Sequence, residues 1–275
     1  MHLLFLSDFH DEEEHFNNIV QQLEQKQFDV IILGGDFANS LIPEINFEEQ
    51  IQIQRNILTK YTNLLYNKFQ KPIYYVLGNH ESEACVYETE NIHYIGNKSV
   101  QLGEYKLIGL SGASSSLVYE HQNINYLGGY PFLPSKIQLL NEKNNEFINN
   151  NEPFLKELIN LEEQKSALKD TLNQIHITED QQYLDALKIV GSLEDKQKLI
   201  IMSHQGPISS FTTFYTKKDK KAASGSLGLE LLRRQLKDRI KLWAHGHTHN
   251  PHSLQDGEVI ICGLVCKGQF RIAEV

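Results

Sequence analysis

Eight short runs of apolar and β-branched residues, each bounded by glycine or polar turn residues, constrain the fold of this chain more than any other feature. They lie at Leu3 to Leu6, Asp29 to Leu33, Ile73 to Leu77, Lys106 to Leu110, Leu199 to Met202, Ile240 to Ala244, Val259 to Cys262 and Gln269 to Val275. Each predicts a strand. Between the early runs, Phe16, Ile19, Val20 and Leu23, then Ile51, Gln54, Ile57, Leu58, Tyr61 and Leu65, recur at helical spacing. Strand alternating with helix is the pattern of a layered α/β fold. With 275 residues, 40% of them hydrophobic, the chain can bury one large core, so a single domain over residues 1–275 is expected.

From about Ser135 to Gly191 the composition turns to Asn, Gln, Glu and Lys and the strand signals vanish, which predicts a helical insertion over residues 135–191. Phe154, Leu158, Leu161, Leu168, Leu172 and Ile175 follow alternating steps of four and three, interrupted by Lys165. That spacing makes an apolar seam. Thr178 and Gln181 have capping-box spacing ahead of a second helix carrying Leu184 and Leu187. The plain reading is a helical hairpin packed on the domain, with a lid, a homodimer contact or a docking site for a partner protein as alternatives.

Several classes of function are disfavoured. A net charge of -9 speaks against sequence-independent binding to nucleic acid, whose affinity comes from Lys and Arg on phosphates. No stretch approaches the length and apolarity of a membrane span. Cys85, Cys262 and Cys266 are too few for a disulfide framework and fit a reducing, cytoplasmic setting. They read as small buried apolar side chains, and no second Cys/His pair near Cys262 and Cys266 supports a zinc ribbon.

The chemistry-bearing residues follow the predicted strands. Ser7-Asp8-Phe9-His10 comes after the first run, Gly34-Gly35-Asp36-Phe37 after the second and Gly78-Asn79-His80-Glu81 after the third. Ser203-His204-Gln205-Gly206-Pro207 and Gly246-His247-Thr248-His249 follow two later ones. The carboxyl ends of strands in open α/β sheets are where ligands bind. Carboxylates, an Asn carbonyl and imidazoles suit first-row divalent cations, and thiols are absent from this set. Singly, an Asp and His after a strand or a Gly-Asp dipeptide is an ordinary turn; five such clusters in one order are not.

In this series the chain resembles the calcineurin-like metallophosphoesterase family: an Asp-x-His, a Gly-Asp, a Gly-Asn-His-Glu, a single His and a Gly-His-x-His, spanning Asp8 to His249. The resemblance implies an α/β fold built as a β-sandwich of two mixed sheets flanked by helices. It implies two divalent metal ions, manganese, iron or zinc with manganese favoured. Asp8, His10 and His249 would bind the first, Asn79, His204 and His247 the second, and Asp36 would bridge them. Hydrolysis of a phosphomonoester or phosphodiester by a metal-activated water follows, with His80 as general acid or transition-state stabiliser. Many family members carry a carboxylate three residues after the bridging Asp to hold that histidine. Here Asn39 stands instead, so Asn39 is expected to orient the His80 ring while supporting its charge less well. His245 adjoins the ligand pair and reads either as a residue behind it or as an ordinary strand-end histidine.

Other features read plainly. His247-Thr248-His249 with His252 lacks the Asp that a metallo-β-lactamase pattern needs, since Pro251 stands there, and Gly263 to Gly268 has P-loop spacing without its lysine. Asp11 to Glu14 suits the first turn of a helix. Phe211 to Ser226, with Lys217, Lys218, Lys220 and Lys221, reads as a polar loop able to meet phosphate. A metal-dependent nuclease and a non-catalytic adaptor on the same fold are the alternatives to a phosphoesterase.

Overall fold

The structure, a computed structural model, describes residues 1–39, 45–113, 126–127, 130–131, 187–193, 196–207, 210–217, 220–223, 225–250 and 252–275. Each of the eight apolar runs carries a strand. In chain order the strands are β1 (His2–Ser7), β2 (Val30–Leu33), β3 (Ile73–Tyr75), β4 (Ile92–Tyr94), β5 (Lys98–Leu102), β6 (Tyr105–Leu110), β7 (Tyr126–Leu127) and β8 (Tyr130–Pro131). There follow β9 (Leu199–Ser203), β10 (Phe214–Lys217), β11 (Lys220–Ala223), β12 (Ile240–His245), β13 (Gln255–Asp256), β14 (Val259–Ile261), β15 (Gly263–Leu264) and β16 (Arg271–Glu274). The helices are α1 (Glu13–Leu23), α2 (Phe47–Phe69) and α3 (Leu227–Leu236).

Two mixed sheets form. In the first, β1 to β4 run parallel in that order, while β15, parallel, and β16, antiparallel, pair with β1. In the second the order is β13-β14-β12-β9-β6-β5, with β13 and β5 antiparallel at its two edges and four parallel strands between them. Strand side chains alternate between faces, and the core divides accordingly. Leu3, Phe5, Val30 and Ile32 meet Leu107, Ile200, Met202, Ala244 and Ile260 between the sheets. Leu4, Leu6, Ile31 and Leu33 pack outward on Phe16, Ile19 and Leu23 of α1 and Leu58, Tyr61 and Leu65 of α2. On the far face of the second sheet, Ile108, Ile201 and Trp243 pack on Leu229, Leu232 and Leu236 of α3. Burial on both faces is why the central strands are continuous apolar runs. Two helices carry side-chain caps, α2 by Asn46 accepting from the Glu49 N–H and α3, a helix not expected from the sequence, by Ser226 accepting from the Leu229 N–H.

Some elements differ from expectation. β4, β5 and β13 were not expected; all three are short edge strands, β5 and β13 largely solvated and β4 only three residues long with His93 between two buried side chains, so none has an apolar run. The segment from Phe211 to Ser226, expected to be a polar loop, contains the antiparallel pair β10 and β11, in register from Phe214 opposite Ala223 to Lys217 opposite Lys220. The lysines of that stretch concealed a strand pair in their backbone. The predicted insertion over 135–191, with its apolar seam, lies outside the described residues up to 186; residues 187–191 are helical, and Leu187, Ile189 and Val190 pack against the α3 side of the second sheet. No helix among the described residues is long and apolar enough to cross a membrane.

Candidate metal centre

All the predicted ligand positions lie just past carboxyl ends of parallel strands. Asp8 and His10 follow β1, Asp36 follows β2 and Asn79 and His80 follow β3, all in the first sheet; His204 follows β9, and His247 and His249 follow β12, in the second. The loops are tied to one another by backbone hydrogen bonds: the Asp8 N–H donates to the Gly35 carbonyl and the His10 N–H to that of Asp36, both at 2.9 Å, and the Gly246 N–H donates to the His204 carbonyl at 2.9 Å. Asp8, His10, Asp36, His247 and His249 all adopt left-handed backbone, with φ of 54°, 47°, 53°, 66° and 51°. Such conformations cost on the order of 1–3 kcal/mol each and cluster at functional sites, where the surrounding structure holds them. Two glycines make the approach possible. A Cβ on Gly35 (φ 88°) would stand 2.2 Å from the Gly78 nitrogen, and one on Gly78 would stand 2.0 Å from Asp36 Oδ1.

The side chains converge as two donor groups. Ligand atoms of Asp8, His10, Asp36 and His249 lie within 4.8 Å of one another, as do those of Asp36, His204 and His247. His10 Nε2 and His249 Nε2 are 3.0 Å apart. Asn79 Oδ1 is 3.0 Å from both His204 Nε2 and His247 Nδ1. His204 shows why these residues fit a cation. Its Nδ1 lies 2.6 Å from the Gly34 carbonyl oxygen, so Nδ1 carries the proton and donates. In the neutral ring Nε2 is then a lone pair, facing Asn79 Oδ1 at 3.0 Å and Asp36 Oδ2 at 3.3 Å. Three lone pairs converging in a buried space repel unless a positive charge sits among them, and a proton or a metal ion supplies it.

The charges tell the same story. Burial works against ionising Asp36, yet the facing imidazoles of His204, His80 and His10 hold its carboxyl well below the usual range. Burial likewise opposes a charge on His204, but Asp36 and Asp8 raise its pKa to about 9. Burial, followed by the charge of His204, lowers His247 to about 3 and keeps its ring neutral. Burial also lowers His10, whereas the bond from His249 to Asp8 raises His249.

Supporting residues were less visible in the sequence. Glu81, fully buried, accepts the N–H of Asp36 at 3.0 Å and of Gly78 at 2.8 Å on Oε2, and that of Ala38 at 3.0 Å on Oε1. Burial, with the charge of Asp36, pushes its pKa up to about 7 against the pull of those N–H groups. Gln54 of α2 donates to the His80 carbonyl at 2.8 Å and accepts from the Ser82 N–H at 3.0 Å, clamping the His80 loop. The signal for it was a glutamine within an apolar helical stripe. Asn39 does not orient His80: it is exposed, and His80 Nδ1 is buried with no hydrogen-bond partner. The turn after Asp36 carries residue 39 out toward solvent, so its short side chain does not back the ring. Cys266, read from the sequence as a small buried apolar side chain, is half buried, and its Sγ lies within 4.8 Å of ring nitrogens of His10 and His249.

His245 is fully buried and acts at one remove. Its Nε2 meets Thr212 Oγ1 at 2.7 Å. The Thr212 carbonyl in turn accepts from Thr248 Oγ1 at 3.1 Å and Asn250 Nδ2 at 2.9 Å, the residues that alternate with His247 and His249. Thr212→Val would leave the buried His245 Nε2 unpartnered, at about 1–3 kcal/mol, and is expected to weaken metal affinity about tenfold. Thermal unfolding and a metal titration check this; unaltered affinity in a destabilised variant would show that the network supports the fold without steering the ligands.

Comparison with known proteins places this geometry. The family model described as calcineurin-like phosphoesterase matches residues 1–251. A crystal structure superposes with a TM-score of 0.61 at 15% identity, covering 98% of this chain and 93% of that one, and shows the fold to be shared. The chain is also similar to TT1561 of Thermus thermophilus, with TM-score 0.49, 12% identity and coverage of 99% and 97%. A third similar structure is the phosphopantetheinyl hydrolase PptH of Mycobacterium tuberculosis, with TM-score 0.48, 12% identity and coverage of 94% and 86%. No curated protein matches the chain.

Proposed function

The chain belongs to the calcineurin-like phosphoesterase family, and from that premise we propose that it hydrolyses a phosphomonoester or phosphodiester with two divalent cations held at the strand ends. The observation that carries this reading is that Asp36 belongs to both donor groups. A carboxylate common to two ligand sets is what a dinuclear centre needs as its bridge. Asp8, His10 and His249 would complete the first position; Asn79, His204 and His247 would complete the second. Divalent cations bound there supply water activation and charge neutralisation at the phosphoryl group. Manganese, iron and zinc all suit a set of carboxylates, imidazoles and one amide oxygen, and we favour manganese for the carboxylate-bridged pair. The three free cysteines support a reducing, cytoplasmic setting.

The chain's own groups do the rest. Asp36 Oδ1 accepts the His80 N–H at 3.2 Å, which fixes the His80 backbone beside the bridge. The His80 ring stands edge-on to His10 at 5.0 Å, with Nε2 3.9 Å from Asp36 Oδ2. From there His80 would hold a proton for the departing ester oxygen. Such a proton matters most where the leaving group is poor, and among the described residues none hydrogen-bonds His80 Nδ1 to support the charge. His80→Ala is expected to lower kcat about 10²-fold on alkyl phosphates and less on nitrophenyl phosphates. Equal losses on both would remove the acid role.

The test of the reading is turnover of chromogenic phosphomonoesters and phosphodiesters by metal-stripped protein, with manganese, iron or zinc added back. Metal-dependent hydrolysis of one ester class supports it and names the class. Bound metal without turnover of any ester would sink it in favour of a binding role.

A further inference from the structure

Cys266 points to a choice of cation at the first position, an inference that rests on the two-cation reading above. The residue lies in the 3₁₀ turn Val265–Lys267 after β15, half buried, and its N–H donates to the Asp8 carbonyl at 3.0 Å. That bond fastens the turn to the strand end carrying Asp8 and His10. Cys266 Sγ and ring nitrogens of His10 and His249 lie within 4.8 Å of one another, in a group that contains neither Asp8 nor Asp36. The other two thiols are placed differently: Cys85 and Cys262 are buried in the apolar layers.

The two imidazoles are therefore shared between an oxygen flank, Asp8 and Asp36, and a sulfur flank, Cys266. Their Nε2 atoms are 3.0 Å apart, close to the about 3.4 Å that two zinc–nitrogen bonds of about 2.1 Å subtend at a tetrahedral angle. Two nitrogens and one sulfur make a zinc-type donor set. Carboxylate oxygens suit manganese, whereas a thiolate suits softer ions. We propose that His10, His249 and Cys266 form an alternative thiolate-containing donor set that takes zinc or cobalt in preference to manganese, competing with the Asp8 and Asp36 flank for the same two imidazoles. On binding, the Cys266 thiol releases its proton to solvent and its sulfur becomes a ligand.

Cobalt titrated into the metal-free full chain tests this spectroscopically, without reference to turnover. The expected result is a near-ultraviolet thiolate-to-cobalt charge-transfer band in the native protein that disappears in Cys266→Ser, while visible d–d bands from the imidazole and carboxylate ligands persist in both. Competition binding in Cys266→Ser should show zinc affinity falling about tenfold or more with manganese affinity unchanged. Visible bands without the near-ultraviolet band in the native protein would overturn the thiolate set and leave the two-cation reading standing. Cobalt leaving no bands at all would remove both. A near-ultraviolet band that survives in Cys266→Ser would assign the thiolate elsewhere and overturn the proposal.

Discussion

Asp36→Asn should abolish metal-dependent turnover, lowering kcat by about 10³-fold or more, while the protein stays folded. Asn is isosteric with Asp and tolerates the left-handed backbone held at residue 36, where φ is 53°. The Asp36 N–H still finds Glu81 Oε2 at 3.0 Å, and an amide oxygen can still accept the His80 N–H. What disappears is charge. Asp36 is the carboxylate facing His10, His80 and His204 at 3.8, 3.9 and 3.3 Å, and it belongs to both donor groups. A neutral amide offers one weak oxygen where two cations need a shared anion, so bound metal should fall from two equivalents toward one or none. Metal analysis of the purified variant, paired with circular dichroism, checks this. A variant that keeps both equivalents and its activity would show that Asp36 does not bridge.

Glu81→Ala should destabilise the metal-free protein by about 3 kcal/mol or more, since three buried N–H groups at about 1–3 kcal/mol each lose their acceptor. For a chain of this size that corresponds to a fall in Tm of about 10 °C. The three donors, Asp36, Ala38 and Gly78, belong to the loops after β2 and β3, so the damage should also reach the site. Glu81→Gln keeps one carbonyl acceptor and sets an NH2 against a remaining N–H, placing it between native and Ala. Differential scanning calorimetry orders the three proteins; a Tm for Glu81→Ala equal to the native value would show that these N–H groups find other partners.

Much of this molecule was legible because central strands buried on both faces must be written as apolar runs. The same runs located the site, since a polar cluster directly after such a strand lies at the sheet's carboxyl edge. The edge strands β4, β5 and β13 carry no such mark, because β5 and β13 mostly meet water and β4 is only three residues long, with His93 between two buried residues. The helix α3 has a cap and an apolar stripe in Ser226, Leu229, Leu232 and Leu236, but no helix was expected there.

Residue identity and strand order alone determined a layered α/β fold and a donor set of carboxylates, imidazoles and an amide at one edge. Only the tertiary structure showed that their ligand atoms converge in two groups that have Asp36 in common. Grouping depends on distances between residues such as Asp8 and His249 that lie on strands far apart in sequence, and these are set by sheet pairing and by glycines that let loops touch. The structure likewise showed Glu81 as a backbone acceptor, Asn39 as turned to solvent and Cys266 beside two imidazoles. Those roles come from through-space proximity, which sequence spacing does not encode.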